Sequence, residues 1–338
     1  MKIDIEERTL HFKQPAGTSR GVYLTRRSHF IHLTGDDGKV GIGECAPLPN
    51  LSCDDIQDYA AVLKSVCDKY VREGEIDYIG LRRFPSMLFG LETAVLNQRN
   101  GLRLFDTAFS RGETGITING LVWMGSYEEM LARMEEKMAM GFRCIKLKIG
   151  AIDFDHELDL IKRIRGRFSR KDIELRVDAN GGFSFAEAPR RLEQLAEYDL
   201  HSIEQPIKAG RWDDMAELCA SSPLPIALDE ELIGLNSPEE KRAMLSTVRP
   251  AYIVLKPSLH GGMRGCEEWI ALAREMNIGS WITSALESNI GLNAVAQFAS
   301  KVYGDSISMP QGLGTGQLFT DNISMPLVVK GDQLWLEN

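Results

Sequence analysis

Gly141-Phe-Arg-Cys-Ile-Lys146-Leu-Lys148-Ile-Gly150 is the stretch on which the reading of this chain turns. Ile145, Leu147 and Ile149 alternate with Cys144, Lys146 and Lys148, a period of two that predicts a β-strand. Both lysines then leave one face, roughly 7 Å apart at ~3.3 Å rise per residue. A lone Lys-x-Lys is ordinarily a solvated strand face. Here four further charged residues follow, each ending a short apolar segment: Asp178, Glu204, Asp229 and Lys256. Their spacings are 204 − 178 = 26, 229 − 204 = 25 and 256 − 229 = 27, one strand-plus-helix unit per charge.

Strands are expected near 116–122, 143–149, 173–178, 201–205, 225–229, 252–256, 279–283 and 306–309, with helices over 126–140, 155–168, 184–197, 237–246, 262–276 and 289–300. Eight strands with helical crossovers fit a (β/α) barrel better than an open sheet. In a barrel the strand C-termini share one face, so Asp178, Glu204 and Asp229 converge. Three carboxylates together repel and take up protons unless a cation lies between them. Oxygen ligands without His or Cys favour a hard ion, Mg²⁺ first and Mn²⁺ second. Asn180, Gly181 and Gly182 allow a sharp turn beside that point.

Lys146 and Lys148 reach the metal site from the preceding strand and Lys256 from the following one, which suggests proton removal beside a carboxylate. Removing a proton α to a carboxylate puts a second negative charge on its oxygens, and a divalent metal stabilises that charge. The base must be neutral, whereas a free lysine has a pKa near ~10.4. A second ammonium at ~7 Å contributes about 2.4 kcal/mol of repulsion at an effective dielectric of 20, worth under ~2 pK units. Burial and the metal are expected to supply the rest.

The first hundred residues read differently, with strands at 9–12, 22–24, 30–33 and 40–42, a turn at 35–38, and helices over 54–70 and 86–97. Ser52 is the expected cap of the first helix. Strands before helices predict an α+β domain over 1–110, completed by about 320–338, beside a barrel over 111–319. The terminal hairpin over 327–336 is expected to return to that first domain. Two loops carry more chemistry than a connector needs. Residues 14–20, with Arg26 and Arg27 close behind, offer hydroxyls and cations suited to a distal substrate carboxylate or to holding a closed lid; residues 44–52 are stiffened by prolines and have apolar tips. Glu44 is assigned no chemistry.

With 338 residues, 43% hydrophobic and 26% charged, the chain suits a soluble globular protein of more than one domain. A net charge of −9 argues against nucleic acid as a partner. The start lacks the apolar core of a signal peptide, and no run reaches membrane-spanning length. Six cysteines without Cys-x-x-Cys spacing are expected to be reduced thiols of a cytoplasmic protein.

Lys-x-Lys (146, 148), Asp-Ala-Asn (178–180), Glu-Gln-Pro (204–206), Leu-Asp-Glu (228–230) and Leu-Lys-Pro-Ser (255–258) together resemble the muconate lactonizing subgroup of the enolase superfamily. Gly-Glu-Cys-Ala-Pro-Leu-Pro (43–49) and Gly-Leu-Gly-Thr-Gly-Gln-Leu-Phe (312–319) bring the likeness nearest to its o-succinylbenzoate synthase branch. The resemblance implies an α+β capping domain on a modified (β/α)₇β barrel of the TIM type. It implies Asp178, Glu204 and Asp229 as metal ligands, Lys148 as acid/base, Lys256 as the opposing lysine, and Lys146 as an electrostatic aid. Glu230 would hold a neighbouring lysine and Asn180 would orient the site, while His260 is expected in a turn without a catalytic role. Substrate contacts are expected from Thr18, Ser19, Arg20, Asn180, Ser284, Gly314 and Thr315.

The implied reaction is loss of water from 2-succinyl-6-hydroxy-2,4-cyclohexadiene-1-carboxylate, a step of menaquinone biosynthesis. Dipeptide epimerase, N-succinylamino-acid racemase and muconate cycloisomerase share the same motifs, and a barrel without chemistry is the rival from another class. Residues 306–315 contain no acid, whereas dipeptide epimerases hold the substrate ammonium with an Asp-x-Asp pair there. The glycines at 312, 314 and 316, and the positive end of a helix starting near Ser288, are expected to face a substrate carboxylate instead. The partner implied is a small-molecule carboxylate, with no nucleic acid or membrane; the oligomeric state stays open.

Overall fold

The computed structural model describes residues 1–18, 21–123, 125–150, 153–304 and 307–337, Thr18 by its backbone alone. Strands β1 (Lys2–Thr18) and β2 (Gly21–Thr34) form a long antiparallel hairpin, and β3 (Val40–Cys45) pairs with the other edge of β2. Residues 16–18 pair with 21–23, so the described part of the expected loop over 14–20, residues 14–18, belongs to β1. Between His11 and Ala16 the register breaks, and Phe12 and Lys13 turn toward Phe319 and Leu318.

Helices α1 (Tyr59–Glu73) and α2 (Pro85–Asn100) cover the sheet. Ser52 does not cap α1; its hydroxyl accepts from Leu48 N at 2.7 Å inside the preceding loop. Helix α2 approaches β3 so closely that a Cβ on Gly43 would stand 1.9 Å from Gly90 O, which explains the glycines there. Every residue of α2 from Pro85 to Val95 is buried, because its outer side packs on the second domain.

That domain begins with β4 (Ile116–Thr117) and β5 (Gly120–Val122). It continues through α3 (Tyr127–Ala139), β6 (Cys144–Lys148), α4 (Phe154–Arg167), β7 (Glu174–Asp178), α5 (Ala188–Ala196) and β8 (Ser202–Glu204). Then come α6 (Trp212–Ser221), β9 (Ile226–Leu228), α7 (Pro238–Val248), β10 (Tyr252–Leu255), α8 (Gly262–Glu275), β11 (Gly279–Ile282) and α9 (Asn289–Tyr303). Strands β5 to β11 form one parallel sheet in chain order. Ser126 with Glu129 and Ser237 with Glu240 form capping boxes that start α3 and α7.

The barrel is closed by Gln311 and Gly312, which bridge to Ile118 and Thr283. The expected eighth strand at 306–309 therefore lies elsewhere, and Ser306 is outside the described residues. Pro310 has no N–H to give, so ladder bonds start at Gln311 N, which donates to Thr117 O at 2.9 Å, and Gly312 N, which donates to Ile282 O at 2.9 Å. The architecture is an α+β cap on a (β/α)₇β barrel.

The terminal hairpin, β12 (Leu327–Lys330) and β13 (Gln333–Leu336), pairs with β4 just ahead of β5 instead of returning to the first sheet. Residues 318–321 make the contact with β1. Each domain has its own apolar core, and a small third cluster around Leu48, Leu259, Ala285 and Leu286 lies between them. All six cysteines are free thiols. Among the described residues no helix is long and apolar enough to cross a membrane.

Candidate active site

Parallel register puts Lys148 opposite Asp178 and Asp178 opposite Glu204, so three charges occupy one rung across β6, β7 and β8. Asp229 and Lys256 each follow the last residue of their strand, β9 and β10. All five reach the same end of the barrel, as the spacing of about one unit per strand requires. The carboxylates are almost wholly buried, at 0% exposure for Asp178, 2% for Glu204 and 1% for Asp229.

Lys146 Nζ lies 2.8 Å from Asp178 Oδ2 and donates to Glu204 Oε2 at 2.6 Å. Lys148 Nζ donates to the same Asp178 Oδ2 at 2.6 Å and to Asn180 Oδ1 at 2.8 Å. Two lysine nitrogens thus share one oxygen and stand closer than the strand rise alone suggests. Lys256 donates to Asp229 Oδ2. Asn180 passes the network on, donating from Nδ2 to Glu230 Oε1 at 3.0 Å. Its own φ of 45° is stabilised by its backbone N–H, which donates to Asp178 Oδ1 at 3.0 Å.

The electrostatics follow from burial opposed by close charges. Burial alone disfavours the Lys146 ammonium, but Asp178, Glu204 and Asp229 overcome it and push its pKa up. Lys256 is raised in the same way by Asp229, Glu204 and Glu230. Asp178 is held well below the usual carboxylate range, its burial outweighed by Lys146 and Lys148. Glu204 is pushed up to about 8 by burial and by Asp178. His260 is buried and pushed down to about 3 by desolvation; its Nδ1 accepts from Lys256 N at 2.9 Å, which anchors the turn holding that lysine.

A cavity of about 310 Å³ opens over the three lysines, and the carboxylates lie behind them. Asn180, Ser284, Gly314 and Thr315, expected from the sequence, all line it, and the Ser284 and Thr315 hydroxyls are hydrogen-bonded to each other. Ser19, Arg20 and the Thr18 side chain lie outside the described residues. Gln14, Leu48 and Leu51 reach the cavity from the first domain. Asn119, Trp123, Thr283 and Leu286 also line it and carry no charge pattern by which a sequence reading finds them.

Two expectations fail here. The positive end of α9 does not face the cavity's contents, because Glu44 takes it: Oε1 accepts from Ser288 N at 3.0 Å, and Oε2 from Gly291 N at 2.9 Å and Ser288 Oγ at 2.6 Å. Gly312 likewise spends its N–H on barrel closure. Arg26, grouped with the substrate-binding cations, is buried and donates only to main-chain carbonyls among the bonds described, while Arg27 is exposed on the opposite face of β2.

The model of the enolase C-terminal domain-like family matches residues 129–328, and that of the MenC N-terminal domain matches residues 18–98. An o-succinylbenzoate synthase of Desulfotalea psychrophila is 46% identical over 99% of this chain and 98% of its own length. The chain belongs to the o-succinylbenzoate synthases of the enolase superfamily. The crystal structure of MenC from the same organism superposes with a TM-score of 0.87 at 42% identity, covering 99% of both chains. A substrate-liganded L-Ala-D/L-Glu epimerase from Bacillus subtilis shares the fold, with a TM-score of 0.84 at 22% identity over 100% of this chain and 96% of its own. Synthase and epimerase folds this similar leave the distinction to pocket residues.

Enzymes of this superfamily depend on a divalent metal. Among the described residues no group of three acidic, His or Cys side chains is arranged to enclose an ion, and the Lys146 and Lys256 ammonium groups lie against the carboxylates. The donor set nevertheless fits one. Glu204 Oε1 and Asp229 Oδ1 are buried acceptors without a hydrogen-bond partner among the described residues, and all the candidate ligand atoms are hard oxygens.

Proposed function

We propose that this chain is a metal-dependent o-succinylbenzoate synthase, removing water from 2-succinyl-6-hydroxy-2,4-cyclohexadiene-1-carboxylate in menaquinone biosynthesis. One observation carries the reading. Three lysines and three buried carboxylates meet at the ends of five successive strands beside a cavity, in a chain 46% identical to an o-succinylbenzoate synthase over its full length.

Asp178, Glu204 and Asp229 would hold Mg²⁺, which Mn²⁺ can replace. When bound, the ion stabilises the second negative charge that grows on the substrate carboxylate. Lys148 takes the α-proton into its nitrogen lone pair. The C–H electrons form the new ring double bond, the hydroxyl leaves with its bonding pair, and the proton returned by Lys148 makes it water. Lys256 approaches from the opposite side of the cavity mouth and stays protonated, a cation facing the flat ring as it becomes aromatic. Lys146 keeps positive charge beside the carboxylate, and Asn180 fixes the Lys148 amine through its hydrogen bond.

Specificity follows from what residues 307–315 present. They contain no acid, and Gly314 and Thr315 line the cavity. A substrate ammonium buried there would lack a counter-charge, at a cost of several kcal/mol. The test supplies the cyclohexadiene substrate, unblocked dipeptides and N-succinylamino acids at equal concentration with Mg²⁺. Efficient formation of o-succinylbenzoate, no dipeptide epimerisation and at most slow racemisation are expected. A dipeptide with the higher kcat/KM would overturn the assignment.

A further inference from the structure

Arg26 stands in the middle of β2, 1% exposed, with its guanidinium turned to the seam between the domains. Four main-chain carbonyls receive its hydrogen bonds. Two belong to the loop after β3: Nη1 donates to Pro47 O at 2.5 Å and Nη2 donates to Ala46 O. Two belong to the loop after β11: Nε donates to Leu286 O at 3.2 Å and Nη2 to Ala285 O at 3.3 Å. The first loop carries Leu48, and the second is itself cavity wall from Thr283 to Leu286. One planar cation therefore spans two walls of the same cavity that come from different domains. A planar fork of five donors can make all four bonds together; an ammonium, with three donors on one nitrogen, cannot.

The neighbouring contacts extend the same frame. Glu287 Oε2 accepts from Ala285 N at 2.7 Å, and Oε1 accepts from Ser258 Oγ at 2.5 Å, two residues beyond Lys256. On the other side Tyr23 OH donates to Pro49 O at 2.7 Å. Resting on the reading of this cavity as the substrate site, we propose that Arg26 is a positioning residue that sets the width of the cleft between Leu48 and Leu286, and so the fit of the substrate's succinyl arm. It touches no reacting atom. Proton transfer at Lys148 belongs to the barrel alone and does not depend on this span.

The experiment compares the Mg²⁺-loaded wild type with Arg26→Lys, Arg26→Met and Tyr23→Phe. Glu92→Gln serves as a control, because Glu92 caps α8 across the same domain boundary but away from this cavity. The Arg26 variants are expected to raise KM about tenfold or more with kcat within about threefold, and to weaken o-succinylbenzoate binding by a similar factor. Tyr23→Phe, which leaves the buried groups intact, is expected to raise KM about two- to threefold. Amide hydrogen exchange should quicken over 284–288 in the Arg26 variants. Glu92→Gln should move Tm and leave KM unchanged. Unchanged KM and exchange in folded Arg26→Lys would overturn the proposal, as would a KM rise in Glu92→Gln of the same size. If the Arg26 variants do not fold, an unchanged KM in Tyr23→Phe overturns it and a raised one supports it. A wild type without turnover would instead defeat the functional reading, and the exchange rates would still decide whether Arg26 holds the two loops.

Discussion

The barrel mouth and the seam between the domains bury charge equally well and treat it in opposite ways. Glu44 and Glu287 at the seam are as inaccessible as Asp178 at the mouth, all at 0% exposure. Both Glu44 oxygens accept two hydrogen bonds, from Ser28 and Ser288 on one and from Ser288 and Gly291 on the other. Backbone and hydroxyl donors have saturated it, and it has nothing left to offer a substrate. At the mouth, Glu204 Oε1 and Asp229 Oδ1 have no hydrogen-bond partner among the described residues, and the carboxylates' other oxygens are met by lysines that line a cavity. Leaving a buried acceptor without a partner costs about 1–3 kcal/mol, and at the mouth two such oxygens belong to one charged cluster beside a cavity. Saturation, rather than burial, separates the fastening from the candidate active site.

The contrast breaks most visibly at the lysines. Lys148→Ala is expected to cut kcat by ~10²–10⁴ or more while leaving the melting temperature close to wild type. Lys256→Ala should be comparably severe. Near-normal turnover in Lys148→Ala beside an inert Lys256→Ala would exchange their roles. Exhaustive chelation should likewise abolish turnover, with Mg²⁺ or Mn²⁺ restoring it, and Asp178→Asn, Glu204→Gln or Asp229→Asn should weaken metal binding with the fold intact. Full activity after chelation would remove the metal from the mechanism.

At the seam the expected loss is of stability. Glu44→Ala strands the Ser288 and Gly291 N–H groups at the start of α9, and urea unfolding should show a loss of about 2–4 kcal/mol. A loss under about half a kcal/mol would mean that the seam is not saturated by Glu44 as described.

A smaller effect sharpens the comparison through pH. Glu92 is buried and pushed up to about 8 by desolvation, although Met263 N and Arg264 N donate to it. The folded chain therefore binds this proton more tightly than the unfolded one, whose carboxyl titrates near ~4.3. The stability this gives is complete below the unfolded value and is lost as pH rises through about 8. Between pH 5 and 9 the urea midpoint of Glu92→Gln should fall less steeply than that of the wild type. Parallel slopes would show that Glu92 is ionised throughout.

The sequence by itself determined the barrel and the charged set at its mouth. A period of two at Cys144–Lys148 and a repeat of about one strand-plus-helix unit are written locally, in residues that are neighbours in the chain. Parallel strands then bring their ends together without further information. Local signals also place most helices, although α6 over Trp212–Ser221 is not among those expected, being only ten residues long.

Only the tertiary structure decided how those parts are fastened. Glu44 meets Ser288 across 244 residues and Arg26 meets Leu286 across 260, and no periodicity links such positions. The helix end that a sequence reading offers to a substrate is consumed by Glu44, and the Arg26 cation offered to a carboxylate donates to the main-chain carbonyls of Ala46, Pro47, Ala285 and Leu286 instead. The closing strand moved to Gln311 and Gly312 because Pro310 lacks an N–H and Gln311 Oε1 accepts from Ile282 N. Hydrogen-bonding groups bind whichever partner the fold brings within reach. A side chain's chemistry is therefore legible in the sequence, and its availability is settled by the contacts that long-range packing makes first.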